Sequence, residues 1–165
     1  MRAPLLDATI LAAAFTSAAQ AQQPATTQFM SEKDVMALIE KAKADRKGDA
    51  PIVAEPILQL APYKSQLEYR PLKAPAAVHE QDAELFVVLQ GTGDIITGGK
   101  LVNEKRVNAK NLTGTDIADG QTHHVVKGDT LLVPNNTPHQ VVPTGGAPIV
   151  VMTMHIPFPA PANWP

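Results

Sequence analysis

From Ala50 onward, proline, glycine and asparagine break the chain before any patterned run grows long enough for a helix. The sequence carries 15 prolines and 10 glycines. Proline removes a backbone donor and glycine opens tight turns, so the pieces between them must pair as short strands. The pattern predicts strands near residues 57–60, 67–71, 76–79, 85–89, 93–97, 125–126, 130–133, 140–142 and 149–155. Many short strands with turn signals between them lead to an all-β sandwich or barrel. Residues 98–122, "GGKLVNEKRVNAKNLTGTDIADGQT", are polar and long. They read as an excursion between strands, with a short hairpin of its own, at the rim of the barrel mouth.

One helix is expected before the β region, in "SEKDVMALIEKAKADRKG". Ser31 suits the N-cap, and Asp34 stands where an acidic side chain reaches back to it. Val35, Leu38, Ile39 and Ala42 recur at helical spacing, and Gly48 supplies a stop. The basic residues near its end suit the helix dipole and form a solvated face.

The first residues read as a secretory leader. Arg2 precedes an apolar stretch from about residue 8 to 19, and Ala19-Gln20-Ala21 fits the small-x-small cleavage pattern. The stretch is too short for a permanent bilayer anchor. The expected organisation is a signal peptide over 1–21, a flexible segment and helix over 22–50, a β domain over 51–158 and a proline-rich tail over 159–165. The mature chain is expected to be periplasmic or secreted, with no membrane contact after cleavage.

Composition narrows the chemistry. The chain has 165 residues, one domain's worth, and a net charge of −2 with no long basic run, which argues against a nucleic-acid partner. There are no cysteines, which excludes thiolate metal sites and a cysteine nucleophile. No G-x-S-x-G elbow is present, and the glycines of "QGTGDIITGG" serve β-structure. The histidines are His79, His123, His124, His139 and His155.

Two segments stand out: "VHEQDAELFVVLQGTG" over 78–93 and "GDTLLVPNNTPHQVV" over 128–142. Together, and in this order, they resemble the two motifs of the cupin superfamily. In the second, Gly128, Pro134 and His139 hold the family's places, and Asn136 stands where glycine is usual. Asparagine is a good substitute if that turn needs positive φ. In the first, His79, Glu84 and Gly91 match, while Ala77 replaces the family's first histidine. The resemblance covers roughly residues 52–157. It implies a cupin-type jelly-roll β-barrel preceded by one N-terminal helix, often paired as a homodimer.

The resemblance also implies one divalent metal ion, Zn, Mn, Fe or Ni, held by His79, Glu84 and His139. Two imidazoles and a carboxylate suit such an ion and leave positions open. Ala77 and His79 share one strand face, as do Glu84, Phe86, Val88 and Gln90. A reversal at Asp82-Ala83 would let His79 and Glu84 meet across a hairpin, and a second hairpin at Pro134 would bring in His139. Whether His123, His124 or His155 replaces the histidine missing at Ala77 stays open at this point; none of the three is favoured as a ligand, and replacing His155 is expected to change little. Gln90, Gln140 and Tyr69 are candidates to line a pocket, and only His123 or His124 would transfer protons near neutral pH.

Two functional readings follow. One is a metal-dependent enzyme of dioxygenase, isomerase or lyase type acting on a small molecule. The other is a non-enzymatic, metal-free barrel that binds a small ligand. The fold does not choose between them. For the exported form, intact-mass analysis of a periplasmic fraction should give a chain beginning at Gln22; full-length chain confined to the cytoplasm would contradict export.

Overall fold

A computed structural model describes residues 27–158 of the chain. The expected leader and the proline-rich tail lie outside the described residues. The helix, α1 (Glu32–Asp45), begins as its cap predicts: Asp34 N donates to Ser31 Oγ and Ser31 N donates to Asp34 Oδ2. It ends before Gly48, at Arg46, whose backbone is extended.

Thirteen strands follow: β1 (Val53–Leu60), β2 (Tyr63–Arg70), β3 (Ala76–His79), β4 (Asp82–Gln90), β5 (Thr92–Thr97), β6 (Lys100–Val102), β7 (Lys105–Arg106), β8 (Asn111–Gly114), β9 (Asp116–Ala118), β10 (Gln121–Val126), β11 (Thr130–Val133), β12 (His139–Pro143) and β13 (Ile149–Pro157). They form a five-stranded sheet, β1-β2-β13-β4-β11, a six-stranded sheet, β10-β5-β12-β3-β8-β7, and the pair β6-β9. All pairings are antiparallel. Among the described residues the two large sheets face each other as a jelly-roll sandwich and do not close into one hydrogen-bonded barrel.

Two apolar clusters hold the layers. Phe86, Val88, Ile95, Val125, Val133, Val141, Ile149 and Val151 pack between the sheets. Ile39 and Ala42 of α1 pack on Leu67 and Val150, so the helix covers the outer face of the five-stranded sheet. These contacts set the facing of two central strands by simple alternation. In β13, Val150 faces the helix, so Ile149, Val151, Thr153 and His155 face inward. In β4, Phe86 and Val88 face inward, and Glu84 shares their side.

Several strands are longer than their sequence suggests. β1 passes through Pro56, which sits at a register shift, and an edge strand tolerates that. β2 and β10 extend through polar residues, with Leu67 and Tyr69 of β2 and Val125 of β10 too few to show the alternation. The 98–122 excursion is corrected more deeply. Its β8 belongs to the six-stranded sheet and pairs with β3 from Ala76↔Gly114 to His79↔Asn111. Leu112 and Thr113 continue the strand pattern there, so the segment is wall as well as rim.

Both expected hairpins are also replaced. β3 and β4 lie in different sheets, as do β11 and β12. Residues 80–81 and 134–138 are therefore corners that carry the chain from one sheet to the other. The second corner braces the first, Asn136 N donating to His79 O at 2.7 Å, and Glu80 N of the first also donates to Lys110 O, just before β8, at 2.8 Å. Asn136 has φ +57, the conformation that glycine usually supplies.

Two glycines separate strain from crowding. Gly91 has φ +82, and a Cβ there would lie 2.3 Å from Pro148 O, whereas Gly128 has φ +96 with nothing near. Chemical denaturation should show Gly128→Ala costing about 1–2 kcal/mol from the backbone alone. Gly91→Ala should cost more, roughly 2–4 kcal/mol, because backbone must also move. Equal losses would contradict the register drawn between β4, β5 and β13.

Candidate metal centre

The inward faces of four strands meet around one carboxylate. β4 supplies Glu84, β3 supplies His79, β12 supplies His139 and β13 supplies His155. Register places them: His155 is the cross-strand partner of Glu84, while His139 pairs with Ala77, two residues before His79. The first and second corners bring the two sheets' contributions face to face.

Glu84 is only 3% exposed. His139 Nε2 lies 2.9 Å and His79 Nε2 3.3 Å from its Oε2, and His155 Nε2 lies 3.7 Å from its Oε1. The rings of His79 and His155 meet edge to face at 4.6 Å between centroids, and His79 and His139 are 5.1 Å apart. One ligand atom from each of His79, Glu84 and His155 lies within 4.8 Å of the other two, so this trio can hold a metal ion. His139 stands outside that compact trio, yet it makes the shortest contact with Glu84.

The outer nitrogens orient two of the rings. His79 Nδ1 donates to Asn111 Oδ1 at 2.8 Å, and His139 Nδ1 donates to Thr137 O at 3.1 Å. A neutral imidazole with its proton held at Nδ1 presents a lone pair at Nε2, directed here at the centre. The donor set therefore fits a divalent ion of the nitrogen–oxygen class.

Electrostatics follow the same contacts. Burial pushes the Glu84 carboxyl toward protonation, but hydrogen bonds from His139 and His79 and the charges of His139 and His155 outweigh it, holding Glu84 well below the usual carboxylate range. Burial likewise opposes charge on His79, but its hydrogen bonds to Glu84 and Asn111 prevail and its pKa rises.

The structure thus brings together His79, Glu84 and His139, the three residues expected from the motifs, and adds His155, which was expected to be dispensable. The available signal was alternation along β13, but an apolar run on both faces hides which parity points inward. His123 and His124 are not in the cluster: His123 Nε2 pairs with Thr97 Oγ1 at 3.1 Å, and His124 Nδ1 with Asp94 Oδ1 at 2.6 Å on the surface. Ala77 lines the interior cavity, so the family's missing histidine leaves space there.

That cavity, of about 200 Å³, is bounded by the cluster at one end and by Gln66, Glu68 and Arg70 of β2. A wider vestibule of about 610 Å³ shares His79, His155 and Gln66 with it and opens past Lys64, Lys110 and Phe158. Of the expected pocket residues, Gln140 borders the cavity, Tyr69 packs under the helix, and Gln90 is exposed at the end of its strand.

No protein-family model and no curated protein matches the sequence. Solved structures match in shape. An uncharacterized conserved protein with a double-stranded β-helix domain from Klebsiella pneumoniae superposes with TM-score 0.54 at 13% identity, over 82% of this chain and 95% of that one. A protein from Bacillus halodurans gives 0.52 at 15% identity, over 84% and 86%. The Cnp3 cupin domain of Schizosaccharomyces pombe gives 0.48 at 12% identity, and the match spans 64% of this chain and 61% of that domain. Such identities speak to fold alone, and the two matches above TM-score 0.5, with the sandwich topology and the two corner motifs, give one conclusion: the chain has the cupin fold, a double-stranded β-helix of jelly-roll type.

Proposed function

We propose that the jelly roll binds one divalent metal ion through His79, His139, His155 and Glu84, and receives a small molecule through the vestibule. The observation that supports this most strongly is a buried carboxylate faced by three Nε2 atoms, two of them on rings fixed through Nδ1. An ion bound there would supply Lewis-acid or oxygen-activating chemistry. The chain's own residues supply orientation through Asn111 and Thr137, and shelter from bulk water between the sheets. No residue in the cavity commits the site to one reaction type. Export to the periplasm or medium is proposed on the leader motif alone.

The metal-free alternative has one observation behind it. The polar atoms of the cluster already satisfy one another, and none is among the buried side-chain atoms without a partner. The two readings separate by experiment. Protein purified without chelator or affinity tag, then dialysed against Zn, Mn, Fe(II) or Ni, should retain one equivalent of at least one of these by elemental analysis. His79→Ala and His139→Ala should each lower affinity by 10-fold or more, and His155→Ala should do so as well. Ala77→His should strengthen binding. Wild-type protein that retains no stoichiometric metal would leave the metal-free reading in place.

The metal-free protein carries its own pH signature. The depressed Glu84 pKa stabilises the fold above the ordinary carboxylate value of 4.5, and this is lost as pH falls. The raised His79 pKa stabilises the fold below its ordinary value of 6.5, and this is lost as pH rises through the shifted value. Melting temperature in the presence of chelator should therefore peak between those values, and Glu84→Gln should flatten the profile. Metal ligation needs neutral imidazoles, so added metal should remove the decline on the alkaline side. An unchanged profile in Glu84→Gln would contradict the electrostatic account.

A further inference from the structure

The interior face of β2 is polar where its neighbours are not. Gln66, Glu68 and Arg70 line the cavity, opposite Thr153, Val151 and Ile149 of β13. The Arg70 and Glu68 side chains are 9% and 7% exposed. Taking such a pair out of water costs several kcal/mol per ion, and apolar residues of similar volume commonly serve the fold as well. A buried pair lining a cavity therefore calls for a reason beyond packing.

The pairing is one-sided. Arg70 Nε donates to Glu68 Oε2 at 2.8 Å, and Nη2 converges on the same oxygen. Glu68 Oε1 is occupied by Gln66 Nε2 at 2.8 Å. One edge of the guanidinium is thus engaged and its orientation fixed. The other edge, formed by Nη1 and the second Nη2 proton, makes no hydrogen bond to a described side chain or backbone group. Nη1 is also not among the buried side-chain atoms without a partner, so it is reachable. A guanidinium edge with two parallel N–H groups matches the two oxygens of a carboxylate.

We propose that Arg70 is the anchor of a carboxylate subsite at the inner end of the cavity, and that the small molecule this protein takes is a carboxylate. This deepens the reading of the interior as a small-molecule site and does not require the metal. Along β2, Arg70 lies opposite Ile149 while Lys64 lies opposite His155. Six residues separate these levels, about 20 Å of extended backbone. The cavity bridges them, with Gln66 and Glu68 between. A ligand whose carboxylate sits on Arg70 therefore extends past Gln66 toward the imidazoles. Glu68 already offsets the charge of Arg70 and no second cation borders the cavity's Arg70 end, so the free guanidinium edge suits a monoanionic planar carboxylate better than a phosphate dianion.

The test uses propionate, lactate and succinate, with propionamide and inorganic phosphate as controls, titrated by calorimetry and ligand-observed NMR into chelator-treated and Zn-treated protein. At least one carboxylate should bind saturably to the chelator-treated protein, and the controls should not. Arg70→Gln should weaken that binding 10-fold or more, Arg70→Lys by less, and Glu68→Gln should tighten it by removing the competing charge. If Arg70→Gln fails to fold, the Glu68→Gln/Arg70→Gln double variant, which keeps a neutral hydrogen-bonded pair, carries the same expected loss. Zinc binding that fails while Arg70-dependent carboxylate binding persists would sink the metal reading and sustain this one. Carboxylate binding that appears only with Zn and ignores Arg70→Gln, no binding in either state, or phosphate binding equally well would overturn the proposal.

Discussion

A carboxylate sealed between two β-sheets is the constraint that the rest of this structure answers to. Glu84 sits 3% exposed on a strand whose next two inward residues are Phe86 and Val88. An ionised group there without partners would cost several kcal/mol. The fold supplies three imidazoles from three other strands, two from the six-stranded sheet and one from the strand beside it. The cluster therefore ties the sheets together at the end where the apolar core gives out. Remove Glu84's partners and both the electrostatics and the sheet-to-sheet contact fail at once.

The interior is divided along its length. The apolar cluster of Ile95, Val125, Val141, Ile149 and Val151 fills one part, and the polar cavity runs beside it under β2, from Arg70 opposite Ile149 to the imidazoles and the vestibule. Phe86 stands at the boundary, with its ring 5.8 Å from that of His139. The outer supports are equally specific. The Arg106–Glu80 ion pair, with N···O distances of 2.7 and 2.9 Å, fastens β7 to the corner that carries His79. Asn136, in its positive-φ turn, holds the same corner through its backbone N–H. The 98–122 excursion matters to the site for this reason: Asn111, which orients His79, lies in it.

Much of this was legible in the residues, and the parts that were not share a cause. The helix cap at Ser31 and Asp34 is local chemistry and could be read directly. So could the turn at Asn136, and the motif spacing that singles out His79, Glu84 and His139. What could not be read was which strand lies beside which. The corner after His79 looks like a hairpin in sequence, because a short polar turn between two strands has the same signature whether the strands pair or part. His155 was passed over because β13 is apolar on both faces, one covered by α1 and the other by the opposite sheet. Arg70 and Glu68 were not singled out, because polar residues on a strand carry the same signature whether they face water or a cavity.

The central proposal is that the Nε2 atoms of three histidines, converging beside Glu84, join it as ligands of one ion. Imidazole 15N NMR of uniformly labelled protein tests it at those atoms. On addition of one equivalent of Zn to chelator-treated protein near neutral pH, Nε2 of His79, His139 and His155 should shift together in slow exchange. Nδ1 of His79 and His139 should keep its proton, and His123 and His124 should be unmoved. Shifts confined to His124 at the surface, or no change at the three interior rings, would contradict it.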